Sequence, residues 1–517
     1  MPAPAQSGRG MTTSDQLARH ARKIPDEIAL RFAGSGRTYR ELDERVTRLA
    51  NALADRGVAA GDRIAVLGRN GPEIVESYFA AARLGAICVP VNFRLVADEV
   101  AYVLADSGAR AVIVDELFTG VLAKASDVDV RLVVGESGDY EAALAAASPV
   151  HAEIAVDEQS PAFIMYTSGT TGRPKGAVLS HHNLLMHTFS SAVHHGITGE
   201  DKAWLVGVPL FHIAGVSGML PYLLQGGRIV IAASGRFDPA ETAELLARER
   251  ITACFLVPAQ WQAICDLPDL STYDLSALRR ITWGAAPAST TLLRAMFEKF
   301  PGTDITTAFG QTECSPVTTV LRGEDALRKI GSVGTPMLNV EVRIVDEDMR
   351  DVPPGEVGEI VYRGPTVMRE YWGKPAETAE AFRGGWFHSG DLVRQDEDGY
   401  LYVVDRKKDM IISGGENIYC AEIEDVLAAH PKIAEVALIG IPDERWGETP
   451  LAVVGPRDAA DPPSPGDIAD WCQDRLAGYK RPRRLAVVAE LPRNPSGKVL
   501  KTQLRADHAA GRLTVQE

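Results

Sequence analysis

A chain of 517 residues is too long for one ordinary domain and has ample length for sizeable cores. Its 45% apolar and 24% charged residues are those of an ordinary soluble globular protein. A formal net charge of −15 argues against general nucleic-acid or anionic-membrane binding.

Residues 1–10 are small and polar and are expected to be a disordered tail, with Met11 a candidate start. No apolar h-region stands at the N-terminus, so no signal peptide is expected. No run approaches the ~18 apolar residues a membrane-spanning helix needs. Cys88, Cys254, Cys265, Cys314, Cys420 and Cys472 are scattered without a C-x-x-C pair. They suggest neither a disulfide framework nor a zinc site, and a reducing cytoplasm fits.

Thr38-Tyr-Arg-Glu41 fits a capping box, and Leu42, Val46, Leu49 and Leu53 follow at helical spacing. Arg63–Leu67 reads as a strand. Pro72 can start the next helix and Gly85 can end it. Ala86–Val91 returns to strand, Ala97–Leu104 to helix, and Ala111–Val114 to strand. This alternation predicts parallel sheets with helices outside.

The apolar run Ala162–Met165 predicts a strand leading into Tyr166-Thr-Ser-Gly-Thr-Thr-Gly-Arg-Pro-Lys-Gly176. Gly169, Gly172 and Gly176 let the backbone approach a ligand closely. Thr167, Ser168, Thr170 and Thr171, with the backbone N–H groups, offer donors for phosphate oxygens, and Lys175 adds a mobile charge. The pattern G-x-x-x-x-G-K-[ST] cannot be laid on these residues, so this phosphate cradle is not a Walker loop. Ser180–Leu184 can open the next helix.

Alternation continues through Leu205–Val208, Arg228–Ala232, a helix over Pro239–Glu249 and Cys254–Val257. Short strands near Val340–Val345 and Gly358–Tyr362 suggest a β-rich subdomain. A smaller α+β unit follows, with helices near Ala421–Ala429 and Gly466–Leu476 and strands at Val436–Ile439 and Leu451–Val454. Positive charge gathers between Arg475 and Arg505, which by default is a solvated face.

The loop at 166–176 resembles the phosphate-binding loop of the adenylate-forming superfamily, which includes acyl-CoA synthetases, peptide-synthetase adenylation domains and beetle luciferases. Further motifs follow in that superfamily's order: Gly284-Ala-Ala-Pro287, Phe309-Gly-Gln-Thr-Glu313, Trp386-Phe-His-Ser-Gly-Asp391, Lys408-Asp-Met-Ile-Ile-Ser-Gly-Gly-Glu-Asn417 and Pro492-Arg-Asn-Pro-Ser-Gly-Lys498. The resemblance runs from about Met11 onward.

It implies an α/β fold. A large N-terminal AMP-binding domain (11–407) holds parallel-rich sheets, helices and a β-rich subdomain. A smaller mobile α+β domain (408–517) turns about a hinge at Lys408. By the same resemblance, the loop residues 167–172 and Lys175 hold ATP phosphates. Gly284, Ala285, Ala286 and Pro287 lie against adenine, Phe309 stacks on it, and Gly310, Gln311 and Val403 complete the nucleotide site. Thr312 bonds the α-phosphate, and Glu313 with Thr167 holds Mg²⁺. Asp391 takes the ribose hydroxyls, Arg406 reaches the ribose or phosphates, and Lys498 bridges the acid carboxylate and α-phosphate. Ser413, Gly414, Gly415 and Glu416 line a CoA tunnel.

The implied activity is ATP-dependent acid–CoA ligation. ATP, Mg²⁺ and CoA are required, and acyl-adenylate is the intermediate. Pro209-Leu-Phe-His-Ile-Ala-Gly215 resembles the acid-pocket entrance, where His212 gates the pocket or orients the carboxylate, or is simply a packed histidine. Amino-acid-activating relatives usually carry an aspartate here. Phe211 and His212 therefore favour an uncharged acid tail. Val216, Gly218 and Trp261 are candidate pocket residues. The entrance leans toward medium- or long-chain fatty acids, with aryl acids or transfer to a carrier protein in trans as alternatives. A homodimer, and a lysine acyltransferase or deacylase acting on Lys498, are further expected partners.

Overall fold

The computed structural model describes residues 11–125, 128–152, 154–167, 173–286, 288–413, 416–493 and 498–516. It divides into two compact units, the first formed by residues up to 342 with 362–387, the second by 343–361 with residues from 388 onward. Lys408 lies inside the second unit by this division.

The first unit holds two mainly parallel sheets. In one, Arg63–Leu67 pairs in parallel with Ile87–Val91 on one side and Ala111–Asp115 on the other. These strands are rich in Val, Ile and Leu because helices cover both faces. Pro161–Thr167 joins the same sheet beside Ile87–Val91. In the other sheet Ala203–Val206, Ala253–Leu256, Arg280–Gly284 and Asp304–Gly310 run parallel, so their C-terminal ends open on one edge. Open α/β sheets bind ligands beyond the carboxyl ends of their strands.

Local signals explain the helices between the strands. Thr38 and Glu41 close the capping box reciprocally, at 2.8 and 3.2 Å, and the helix runs Tyr39–Ala54. Pro72 opens the next helix, and Gly85 ends it at φ 68°. That helix carries a fully buried carboxylate. Glu76 accepts from Arg37 at 2.5 Å, Arg45 at 2.7 Å and the Tyr140 hydroxyl at 2.7 Å.

One local expectation is incomplete. After the glycine loop the chain does not pass straight to a helix. Lys175–Ser180 returns as a strand antiparallel to Pro161–Thr167, and only then does Ser180 cap the helix His181–His194. Thr167 and Lys175, on either side of the glycine loop, thus belong to paired antiparallel strands.

Almost wholly in the second unit, Phe387–Gln395 and Leu401–Arg406 pair antiparallel within a four-stranded sheet. Beyond them Ile433–Asp443 and Gly447–Pro456 form a long hairpin packed by the helices Cys420–Ala428 and Pro465–Gln473. The basic stretch is largely absorbed internally: Lys480 pairs with Glu422, Arg484 with Asp443, Arg493 with Glu435, Lys501 with Glu424, and Arg505 with Asp409. All six cysteines are free thiols and buried. Among the described residues no helix is long and apolar enough to cross a membrane.

Candidate active site

The expected site residues fall into two sets, one within each unit. In the first unit Thr167 and Lys175 are register partners across the hairpin. Ser168, Gly169, Thr170, Thr171 and Gly172 lie outside the described residues, as does Pro287. Glu313 is buried, and its Oε1 accepts from the Tyr371 hydroxyl at 2.9 Å. Thr167 Oγ1 lies 3.5 Å from the same oxygen, a contact too long for a strong hydrogen bond.

Tyr371 also places its ring 5.0 Å from Lys175 Nζ, a cation–π distance. Burial, and next the Glu313 charge, raise the Tyr371 phenol far above its ordinary range, which keeps it a hydrogen-bond donor. One residue thus touches the expected metal carboxylate and the expected phosphate lysine. The sequence offers no local sign of this, because Tyr371 is 58 positions from Glu313.

The oxygens of Glu313 and Thr167 suit Mg²⁺, which binds through one or two carboxylates together with phosphates. Among the described residues no cluster of three or more His, Cys, Asp or Glu is present.

The adenine-side segments are built for close backbone approach. Gly284 pairs with Ala308, and a Cβ there would stand 2.2 Å from the Ala308 carbonyl oxygen. Ala285 then turns at φ 66°, a strained position for a residue with a side chain. Gly310, next to the half-buried Phe309, has φ 152°, and an added Cβ would meet Pro316 O at 2.0 Å. Gln311 keeps a buried Nε2 without a hydrogen-bond partner among the described residues. Thr312 opens a single helical turn, Thr312–Cys314, that carries Glu313.

His212 precedes the helix Ile213–Leu224. Its Nε2 is buried and has no hydrogen-bond partner among the described residues. Burial, with a smaller contribution from Arg94, lowers its pKa to about 4, so the ring is neutral near pH 7. Phe211 lies 4.5 Å from it, and Phe93 meets Phe211 edge-on at 5.4 Å. Val216 is buried in that helix, and Gly218 packs under Trp204, where a Cβ would stand 2.8 Å away. Trp261 is a core residue rather than a pocket residue. It is fully buried, donates to Thr282 O at 3.3 Å and packs edge-on against Phe300.

In the second unit Asp391 and Arg406 are register partners, joined at 2.5 Å between Oδ1 and Nε. Asp391 is buried. Desolvation raises its pKa, opposed first by Arg406 and then by Lys498. Lys498 is depressed to about 8, chiefly by burial, then by the Arg406 charge, with Asp391 opposing. Burial also lowers Lys408. Arg406, Lys408 and Lys498 thus gather around Asp391, with Asp409 also acting on the two lysines.

The turn before Asp391 is held by a residue the motifs do not reveal. Glu359 accepts from Gly390 N at 3.0 Å and lies 3.1 Å from His388 Nδ1. Ser389 Oγ accepts from Asp391 N at 2.9 Å and donates to Ile360 O at 2.5 Å. Val403 is exposed on the neighbouring strand. Ser413 pairs with Glu416 and with Gly447, while Gly414 and Gly415 lie outside the described residues.

Two family models match the chain. One for an AMP-binding enzyme matches residues 17–372, and one for the AMP-binding enzyme C-terminal domain matches 422–498. The chain is 43% identical to a feruloyl-CoA synthase of Amycolatopsis sp, covering 94% of this chain and 97% of the relative. It is 39% identical to an indoleacetate–CoA ligase of Aromatoleum aromaticum, covering 96% and 98%. It is 36% identical to a long-chain-fatty-acid–CoA ligase of Mycobacterium tuberculosis, covering 92% and 93%. Among solved structures, the o-succinylbenzoate CoA synthetase of Bacillus subtilis in complex with its acyl-adenylate intermediate matches with a TM-score of 0.86 at 33% identity, covering 96% of this chain and 98% of that one. The chain belongs to the AMP-binding enzymes of the adenylate-forming superfamily and is an AMP-forming acyl-CoA synthetase.

Proposed function

We propose that this ligase activates an aromatic carboxylic acid, with ATP, Mg²⁺ and CoA as its other reactants. The acid carboxylate attacks the α-phosphorus of Mg·ATP, forming acyl-adenylate and releasing pyrophosphate. The CoA thiol then attacks the acyl carbon, loses its proton and expels AMP. The observation that carries the aryl reading is the 43% identity to a feruloyl-CoA synthase over nearly the whole chain. The fatty-acid preference expected from the entrance segment has weaker support, from a relative at 36%. The entrance itself is compatible with a planar ring. Phe93 and Phe211 pack edge-on beside a neutral His212, and aromatic faces and edges prefer such partners.

The residues divide the work. Lys175 and the glycine loop hold the leaving phosphates. Glu313, oriented by Tyr371, offers Mg²⁺ a fixed carboxylate. Asp391 and Arg406 take the ribose. Lys498 neutralises charge that develops between the carboxylate and the α-phosphate, where a preplaced cation is most effective. Rotation of residues 408–517 about Lys408 then presents the Ser413–Glu416 loop for the thiol. The test of substrate class is a comparison of kcat/KM for hydroxycinnamates and arylacetates against C8–C18 fatty acids. The account expects the aryl acids to be preferred by at least tenfold, about 1.4 kcal/mol of transition-state binding. An equal or greater preference for fatty acids overturns the aryl assignment and leaves the ligase chemistry standing.

A further inference from the structure

We propose that Asp106 is a positioning residue that fixes the stem entering the glycine loop through Tyr166 and, through Lys374, the segment bonded to the strand leaving it, and so sets how Mg·ATP is held for adenylation. The inference rests on the adenylation chemistry proposed above. Asp106 lies in the last turn of the helix Ala97–Ser107, which ends at the left-handed Gly108. A carboxylate is unfavourable there, because the carbonyl end of a helix carries partial negative charge. Its side chain is only 11% exposed. Something must compensate, and the compensating groups all lead to the loop.

The Tyr166 hydroxyl donates to Asp106 Oδ2 at 2.8 Å. Lys374 Nζ donates to Oδ1 at 2.8 Å. Tyr102, one turn earlier on the same helix face, has its hydroxyl 3.3 Å from Oδ1. Its single proton has a shorter acceptor in Pro174 O, at 2.9 Å. The Tyr102 ring also lies 5.1 Å from the Arg173 guanidinium. Tyr166 immediately precedes Thr167, and Arg173 and Pro174 immediately precede Lys175. One helix face therefore grips the chain before and after the loop.

Lys374 ties the same carboxylate to the segment that orients the metal carboxylate. In that segment Trp372 N donates to Gly176 O at 2.8 Å, and Tyr371 holds Glu313. Asp106 itself has no direct role toward phosphate or metal here. It acts through Tyr166 and through Lys374, while Tyr102 on the same helix holds Pro174 in its own right. The partners lie 60 and 268 positions away in sequence, so only the fold reveals the arrangement.

The test uses full-length Asp106→Ala and Asp106→Asn, read by ATP–pyrophosphate exchange, by thioester formation from supplied acyl-adenylate, and by thermal midpoint. Losing charge-assisted hydrogen bonds to Tyr166 and Lys374 should lower kcat/KM for Mg·ATP in exchange about 10- to 100-fold. Asp106→Asn, which keeps an acceptor for Tyr166, should recover part of that loss. Thioester formation from supplied acyl-adenylate should stay within about twofold of wild type. Lys374→Met should cost less in the Asp106→Ala background than alone, because it acts through Asp106. If Asp106→Ala fails to fold, Tyr166→Phe carries the same test with a smaller effect in the same direction. Unaltered exchange in the folded variants, or equal losses in both half-reactions that track the thermal midpoint, overturns the proposal. A wild-type protein without exchange on any acid overturns the adenylation reading and this inference with it. Normal wild-type exchange with unaltered variants overturns only the role of Asp106.

Discussion

Lys498→Ala separates the two half-reactions most sharply. Burial and Arg406 hold the Lys498 ammonium at about 8 against an ordinary 10.5. That displacement corresponds to about 3 kcal/mol by which the site disfavours the cation before an anion arrives. Negative charge building up between the acid carboxylate and the α-phosphate offsets this penalty, so the cation is better matched to the transition state than to the empty site. Removing the side chain should then slow acyl-adenylate formation by at least 100-fold, the rate equivalent of about 3 kcal/mol. Thioester formation from supplied acyl-adenylate should change by less than about threefold, since Lys498 has no assigned part in it. The pH dependence carries a definite sign. The reactive form is the charged one and the pKa is lowered, so kcat/KM for adenylation should fall as pH rises through about 8. Lys498→Arg, which stays charged, should remove that alkaline fall whatever its absolute rate. Rapid-quench measurement of acyl-adenylate and a separate thioester assay decide the matter. Equal losses in both half-reactions would refute the reasoning.

Three further outcomes are expected. Tyr371→Phe removes the hydroxyl held 2.9 Å from Glu313, and should raise the Mg²⁺ concentration needed for half-maximal exchange roughly 5- to 30-fold; an unchanged Mg²⁺ titration would contradict the positioning role. Lys408→Pro fixes φ at the proposed pivot, and should spare pyrophosphate exchange while blocking thioester formation; survival of both halves would place the pivot elsewhere. Glu76→Ala leaves the Arg37 and Arg45 guanidiniums facing a vacated buried site, and should cost about 3–5 kcal/mol in denaturant unfolding, the usual consequence of breaking a buried ion pair. A loss under 1 kcal/mol would show that this cluster contributes little to stability.

Much of the fold was legible where local chemistry dictates it. The box at Thr38 and Glu41, the Pro72 start and Gly85 stop, and the buried run Arg63–Leu67 each have a short-range cause. The hairpin strand Lys175–Ser180 was harder to see, because its six residues lie between a glycine loop and a helix cap. Only its pairing with Pro161–Thr167 makes it a strand. The site showed the same split. The motif residues stood out, whereas Tyr371, Glu359 and Asp106 are ordinary side chains made significant by distant partners. Trp261, one of three candidate pocket residues, shows the same dependence on distant partners. A tryptophan at the start of a helix resembles a pocket wall until Phe300 and Thr282 enclose it.

The central claim is tested most directly by incubating the protein with Mg·ATP, CoA and a panel of acids, then identifying the products by mass spectrometry. The panel spans acetate to long-chain fatty acids, benzoates, hydroxycinnamates, arylacetates and amino acids. The account predicts AMP and an acyl-CoA thioester in equal amounts, strongest with an aryl acid. AMP or acyl-adenylate without thioester would contradict CoA as the acceptor, and no AMP with any acid would contradict the ligase assignment itself.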